Sequence, residues 1–470
     1  MAGTVWREAL AVVAVLVLLA VTTAGGPLLA PAAASAEENG VGLSPAMGWS
    51  SWSFLRTDPT AAKVEAEARA MVASGLSKVG YRYVNLDDFW YICPGSQGPA
   101  VDRYGRWVPN SHFPPSPNGG NGIEVVADYV HSLGLKFGLY VTPGISKQAV
   151  EKNTPILGPE GKPDGYTARQ IAEPSVTEHN YNCGGMVGIN YRARGAQDFI
   201  DSWADEFASW GVDYLKLDGV GSFDIPDVEA WSRALRQAGR PVHLELSNSL
   251  NINYAPVWEK YANGWRTGGD IECYSCDTSG TSYPLTDWAN VAARFSEVAK
   301  WRPFGEPGAF NDYDSIEVGN DGNDGLSLPE RQTQLSLWAL ASSPLILGTD
   351  LTHLGPTDLA LLEDTAVIAV DQDGVDASRV AETSTSQIFA KTERGGDVVV
   401  GLFNTGGRSA LVSTTVGKLG MARCSVYEVD DLWSHKVTRS TGTIGADVVS
   451  HGVALYRVTG AGGGGRCGNP

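Results

Sequence analysis

Between residues 44 and about 370, short apolar and aromatic runs alternate with longer stretches whose apolar positions recur every three or four residues. The short runs, at 46–49, 81–87, 136–142, 212–218, 242–247, 264–267, 308–312 and 345–349, read as eight β-strands. The longer ones, among them 61–73, 196–210, 228–238 and 331–341, read as amphipathic helices. In the second of these Phe199, Trp203, Phe207 and Trp210 mark one buried face. Eight strands alternating with helices predict an α/β fold, a (β/α)8 TIM barrel over 41–375. An open doubly wound sheet is the competing arrangement, but no G-x-G-x-x-G turn opens the first helix.

After about residue 376 the texture changes. Runs at 387–391, 397–403, 410–416, 424–428 and 452–458 are separated by Gly, Ser and Thr with no helical pattern, which predicts a small C-terminal antiparallel β-sandwich domain over 376–459. Residues 460–470, with Gly462 to Gly465 in a row, read as a flexible tail. At the other end, Arg7, an apolar run over 9–21 and the small residues Ala34-Ser35-Ala36 read as a signal peptide, 1–36, and hence as secretion without stable membrane association. An uncleaved anchor is the alternative, against which Gly25, Gly26, Pro27 and Pro31 interrupt any spanning helix.

Six cysteines in an exported chain are expected to pair. Cys93 with Cys183, Cys273 with Cys276 and Cys424 with Cys467 are the candidates among 15 possible pairings. Cys273-x-x-Cys276 also fits half of a zinc site, but no second Cys/His pair of matching spacing accompanies it. The net charge of -18, with no Lys/Arg cluster, disfavours nucleic acid as a partner. The 14 Trp and 17 Tyr suit a neutral polyhydroxylated ligand, an oligo- or polysaccharide, whose C–H faces stack on rings. Most of those rings are nevertheless core by the same periodicity.

Active sites of parallel barrels lie at the carboxyl ends of the strands, so acids that terminate strands are functional candidates by position. Asp87 and Asp88 end the second predicted strand, Asp218 the fourth, and Asp270 follows the sixth, 52 residues after Asp218. Asp312 and Asp314 follow the seventh. Two such carboxylates meet the needs of glycoside hydrolysis, one as nucleophile or base and one as acid, whereas the plainer role of each is to cap the next helix. Lys216, two residues before Asp218, shares its face of the strand and is expected to keep it ionised. Asp270, among Gly268, Gly269 and Ile271, has no cation beside it in sequence and is expected to hold its proton. The Asn320–Gly325 loop is rich in oxygen ligands but lacks the bidentate Glu of a calcium loop, so a polar turn is expected, and no metal or cofactor.

Six ordered segments carry a family resemblance: Gly48-Trp49-Ser50-Ser51-Trp52, Tyr83 to Trp90, Asp213 to Gly219, Trp265 to Ile271, Gly308 to Asp312 and Ser342 to Leu345. In them the chain resembles glycoside hydrolase family 27, the retaining α-galactosidase and α-N-acetylgalactosaminidase family of clan D. That resemblance implies Asp218 as nucleophile and Asp270 as acid/base of a double displacement without cofactor. It further implies Asp87 and Asp88 on the 4- and 6-hydroxyls, Lys216 on the 3- and 4-hydroxyls, Arg266 on the 2-hydroxyl and Trp49 on the sugar's apolar face. The stretch Glu245-Leu246-Ser247-Asn248-Ser249 departs from the family pattern and leaves Asn248 as the candidate near the 2-position. Phe310-Asn311-Asp312-Tyr313-Asp314 and the insertion over 145–188, with Tyr166, Tyr181 and Tyr191 as a possible stacking platform, are similar to the isomalto-dextranase branch. The expectation is therefore a secreted α-galactosidase, with isomalto-dextranase or β-L-arabinopyranosidase as alternatives. A non-catalytic sugar-binding barrel and a metal-dependent hydrolase are the readings from other classes.

Overall fold

A computed structural model describes residues 39–117, 119–277, 280–462 and 465–466. The expected signal peptide, 1–36, and Cys467 lie outside them. All eight expected barrel strands form: β1 Met47–Ser50, β2 Tyr83–Leu86, β3 Lys136–Val141, β4 Val212–Leu217, β5 His243–Leu246, β6 Gly264–Arg266, β7 Phe310–Asp312 and β8 Leu345–Leu347. They make one parallel sheet in the order β7-β6-β5-β4-β3-β2-β1-β8. The sheet curls until its ends meet, because the segment after β7 bridges to β8: Ile316 pairs with Leu347, and its N–H donates to Ile346 O at 2.7 Å. This is the α/β barrel rather than the open sheet.

Its strands are short and buried on both sides, as a parallel sheet covered by helices requires, with Asn85, His243 and Glu245 set among apolar residues. The helix Ala196–Ser209 buries Phe199, Trp203 and Phe207 and stacks Phe207 on Trp231 of the next helix, with centroids 6.1 Å apart. On one side of the buried Glu245 its strand neighbour is glycine. A Cβ on Gly264 would lie 2.1 Å from the Glu245 carboxylate.

Register sets the site. Tyr140 of β3 pairs with Lys216 of β4, which pairs with Glu245 of β5, and Arg266 of β6 pairs with Asp312 of β7. Glu245 pairs in turn with Gly264, so Arg266 and Asp312 stand two residues further toward the strands' carboxyl ends than Lys216 and Glu245. Over that end lies the 145–188 insertion, built as antiparallel pieces: Ile145–Ser146, Ala172–Glu178 and Met186–Ile189 in one sheet, and the hairpin Pro155–Leu157 with Pro163–Thr167. The Cys93–Cys183 disulfide fastens its far end to the loop after β2. The expected Cys273–Cys276 bridge also forms.

The C-terminal domain is antiparallel. In spatial order its main sheet runs Ser378–Glu382, Ser386–Thr392, Val398–Asn404, Val453–Gly462, Val426–Asp431 and Lys436–Ser440, with Ala410–Thr415 and Thr443–Val448 as a second sheet. Val400, Leu402, Val429 and Val458 of the first pack with Val412, Ile444 and Val448 of the second. The expected tail boundary at 460 is corrected: the last long strand continues to Gly462, Ala461 pairs with Val426, and Gly465–Arg466 folds back on it. Glycine has no side chain to place, but its backbone still completes a ladder.

Phe389, Phe403 and Leu455 join the barrel's own core cluster rather than the sandwich's. Beside them Lys391, fully enclosed, donates to Ala339 O, Val370 O and Ser342 Oγ and pairs with Asp373 at 2.8 Å. Among the described residues no helix is long and apolar enough to cross a membrane.

Candidate active site

At the carboxyl end of the barrel lies a cavity of about 370 Å³. Strand ends and the loops that follow them build its wall. Asp87 and Asp88 come from the turn after β2, Tyr140 and Lys216 from β3 and β4, Asp218 from the turn after β4, and Asn248 from the turn after β5. Gly269, Asp270 and Tyr274 come from the loop after β6, Trp52 from the turn after β1, and Tyr181 from the insertion. The sequence thus placed Asp87, Asp88, Lys216, Asp218, Asn248 and Asp270 in one chamber, across a range of more than 180 residues.

Lys216 Nζ sits 2.7 Å from Asp87 Oδ2. Burial works against the ammonium, but Asp87 and Asp218 together outweigh it and hold Lys216 protonated above its ordinary range. Asp87 is anchored by a hydrogen bond from the Asp88 N–H to its Oδ1 at 2.8 Å. Asp88 Oδ1 accepts from the Tyr91 hydroxyl and from the Phe89 N–H, each at 2.7 Å. Burial nevertheless pushes the Asp88 carboxyl up to about 7. At neutral pH this residue therefore stands poised between donor and acceptor. Asp218 donates its backbone N–H to Val141 O at 2.9 Å and presents its carboxylate to the cavity.

The expectation that Asp270 keeps its proton is corrected for the free site. The loop after β6 turns back on itself, so Arg266 Nη2 lies 3.0 Å from Asp270 Oδ1. The Tyr274 hydroxyl donates to Oδ2 at 2.5 Å. Burial raises the carboxyl, but Arg266, Tyr274 and Lys216 overcome that and hold it at about 2. The adjacent cation was invisible in sequence because it stands four residues back and returns through the turn.

Trp49 is also corrected. It is fully buried, donates its indole N–H to Thr349 O at 2.8 Å, and does not line the cavity. The strand ends at Ser50, and the turn beginning at Trp52 carries that ring to the cavity wall instead, stacked on Phe89 with centroids 6.3 Å apart. Arg266 lies beneath the chamber rather than on its wall, paired with Asp314 at 2.7 Å as well as with Asp270. Of the three tyrosines in and near the insertion only Tyr181 reaches the cavity; Tyr191 donates to Asp227, and Tyr166 packs by Gly195.

Among the described residues two groups of metal-ligating side chains lie close together, and both have other partners. Arg266 stands among Asp270, Glu272 and Asp314, and the sulfurs of Cys273 and Cys276 are bonded to each other. In the Asn320–Gly325 loop Asp324 accepts the N–H groups of Gly319 and Asn320, as a polar turn does. Tyr140, Trp52 and Tyr274 were not foreseen. Tyr140 had a signal in its place beside Lys216, Trp52 in the same motif as Trp49, and Tyr274 none.

Two family models match the chain. A family model described as alpha galactosidase A matches residues 44–150 and 180–373, stepping over most of the insertion. One for the alpha galactosidase C-terminal beta sandwich domain matches 383–458. The chain is 32% identical over 430 residues to the alpha-galactosidase of Cyamopsis tetragonoloba, covering 90% of this chain and 88% of that protein. It is 32% identical over 428 residues to that of Coffea arabica, covering 90% and 95%. Among solved structures it is similar to a GH27 β-L-arabinopyranosidase from Geobacillus stearothermophilus, with TM-score 0.79, 28% identity and coverage of 90% and 98%. It is also similar to alpha-galactosidase I from Mortierella vinacea, with TM-score 0.68, 25% identity and coverage of 90% and 99%.

Proposed function

This chain belongs to glycoside hydrolase family 27 and is a retaining glycosidase, and on that premise we propose that it releases terminal α-linked galactose. The observation that carries this choice is the pairing of a charged Lys216 with Asp87 beside a buried Asp88 on the cavity wall. Asp87 and Lys216 offer an acceptor and a donor to vicinal hydroxyls. Asp88, one methylene shorter than a glutamate, leaves room for the hydroxymethyl group that galactose has and arabinopyranose lacks.

In this reading Asp218 attacks C1 and expels the leaving group, whose oxygen takes a proton from Asp270. Water then attacks C1 of the glycosyl-enzyme while Asp270 takes its proton and Asp218 leaves as a carboxylate, and the anomeric configuration is retained. The reading places the two carboxyl groups about 5–5.5 Å apart. A sugar bound over Asp270 excludes water from its carboxyl, which favours the uncharged acid in the complex over the charged one. Trp52 takes the stacking role, and Asn248 faces the 2-position.

A second reading, β-L-arabinopyranosidase, draws on the similarity to the Geobacillus stearothermophilus enzyme. Incubation with p-nitrophenyl α-D-galactopyranoside, p-nitrophenyl β-L-arabinopyranoside and dextran, against Asp218→Ala as blank, separates the readings. Fastest turnover of the galactoside is expected. Faster turnover of the arabinoside, or release of isomaltose from dextran, replaces it. The disulfides fit an oxidising compartment, and export is read with cleavage after Ala36. A secreted product beginning at Glu37 is the expected mass.

A further inference from the structure

Asp270, Tyr274 and the Cys273–Cys276 disulfide share one short loop after β6. The Tyr274 hydroxyl donates to Asp270 Oδ2 at 2.5 Å and accepts the Trp52 indole N–H at 2.8 Å. Its half-exposed ring faces the cavity, with the Arg56 guanidinium 4.6 Å from the ring centroid. The disulfide closes a loop of four residues around Tyr274, and Cys273 N–H donates to Leu285 O at 2.8 Å. The hydroxyl is therefore fixed from its backbone as well as from its neighbours.

The two oxygens of Asp270 meet donors of different kinds. Arg266, on Oδ1, can only donate, so a proton on that oxygen would face the guanidinium. Tyr274, on Oδ2, can donate or accept. A carboxylic O–H at Oδ2 can give its hydrogen bond to the Tyr274 oxygen while the phenolic hydrogen turns toward the cavity.

We propose that Tyr274 is a positioning residue for proton transfer by Asp270: it assigns the proton to Oδ2 and, by reversing its own O–H, lets that oxygen alternate between acid and base. The inference rests on Asp270 being the acid/base. As the C1–O bond breaks, its electron pair goes to the leaving oxygen, which takes the proton from Oδ2, and the Tyr274 O–H swings to Oδ2. As water bonds to C1, the C1–O bond to Asp218 breaks and its electron pair returns to that carboxylate, water gives a proton to Oδ2, and the Tyr274 O–H swings away. The charged and titratable groups facing Asp270 are Arg266, Lys216, Glu272, Asp314, Tyr181 and, across the cavity, Asp218, and the hydrogen bond to Oδ2 comes from Tyr274.

The test is the pH dependence of kcat for melibiose, or for whichever unactivated glycoside the enzyme cleaves, since that profile reports the acid in the substrate complex. Tyr274→Phe removes a donor that favours the carboxylate, so the basic limb moves up by about one pH unit. Cys273→Ser/Cys276→Ser, which frees the loop, moves it in the same direction by less, and serves alone if Tyr274→Phe does not fold. If Asp270→Asn leaves the basic limb in place, the reading of Asp270 is wrong. If Asp270→Asn removes the limb while the Tyr274 and disulfide variants leave it unmoved, the role of Tyr274 is wrong and that of Asp270 stands.

Discussion

Lys216 reaches across β3 from β4 to place its ammonium 2.7 Å from the Asp87 carboxylate at the end of β2, 129 residues away in the chain. One ion pair thus fixes two strand ends and presents both charges to a bound ligand. The Lys216 ammonium also lies 5.8 Å from the centroid of the Tyr140 ring, which fills the strand between them.

Lys216→Met should therefore do two things at once. It leaves Asp87, only 4% exposed, without its cation, which costs about 3 kcal/mol of stability. It also removes a hydroxyl donor from the cavity, so kcat/KM should fall at least about a hundredfold. Thermal unfolding and galactoside kinetics read the two effects separately.

The two catalytic candidates should differ in how they depend on the leaving group. Asp218→Ala should lose about ten-thousand-fold in kcat on every substrate, because no covalent intermediate forms. Asp270→Ala should lose about 10²–10⁴-fold on melibiose but far less on a nitrophenyl glycoside, whose leaving oxygen needs little protonation. Equal losses on both substrates would contradict the acid role.

Stability should be greatest on the acid side of neutrality. Burial pushes Glu67 and Glu178 up to about 9, Glu245 to about 8, and Glu272, Asp312, Asp324 and Asp376 to about 7. Between the ordinary carboxylate range and those values the folded state binds more protons than the unfolded one, so stability is lost as pH rises through them. His243 opposes this at the other end. Burial holds it at about 3, so the unfolded chain takes up its proton first as pH falls below about 6.5. A melting temperature highest near about pH 5 and lower at pH 8 is expected; one that rises steadily to pH 8 would contradict it.

Removing the Cys93–Cys183 bridge, as Cys93→Ser/Cys183→Ser, opens a loop spanning 90 residues and should cost about 3 kcal/mol. Because Tyr181 stands two residues from Cys183 on the cavity wall, KM should rise more than kcat falls. Denaturant midpoints and steady-state kinetics check both.

The barrel was legible because its strands are short, largely apolar runs separated by helices of clear period, so pattern and packing agree. Lys436–Ser440 was missed for the opposite reason: nearly all its residues are exposed and polar, and its place in the sheet comes from pairing with Val426–Asp431. The strand-end acids were legible because position in a barrel makes them candidates, and Asp218 stood out from a helix cap through Lys216 two residues before it. Trp49 was misplaced because motif proximity does not say which of two tryptophans lies past the strand's end. The charge state of Asp270 was misread because Arg266 and Tyr274 approach it from four residues on either side, through a turn that no local periodicity announces.

The enclosed ammonium of Lys391 has a consequence for how this chain can be divided. Its acceptors, Ala339 O, Val370 O, Ser342 Oγ and Asp373, all belong to the barrel side of the seam, whereas its backbone belongs to the sandwich. A fragment cut at residue 376 would carry that cation into solvent beside the bared rings of Phe389 and Phe403, and would leave a ring of oxygens facing nothing on the other half. The sandwich is thus no interchangeable module to be grafted, shuffled or trimmed for a leaner enzyme; it is inherited together with the barrel, and calorimetry should record the two melting as one.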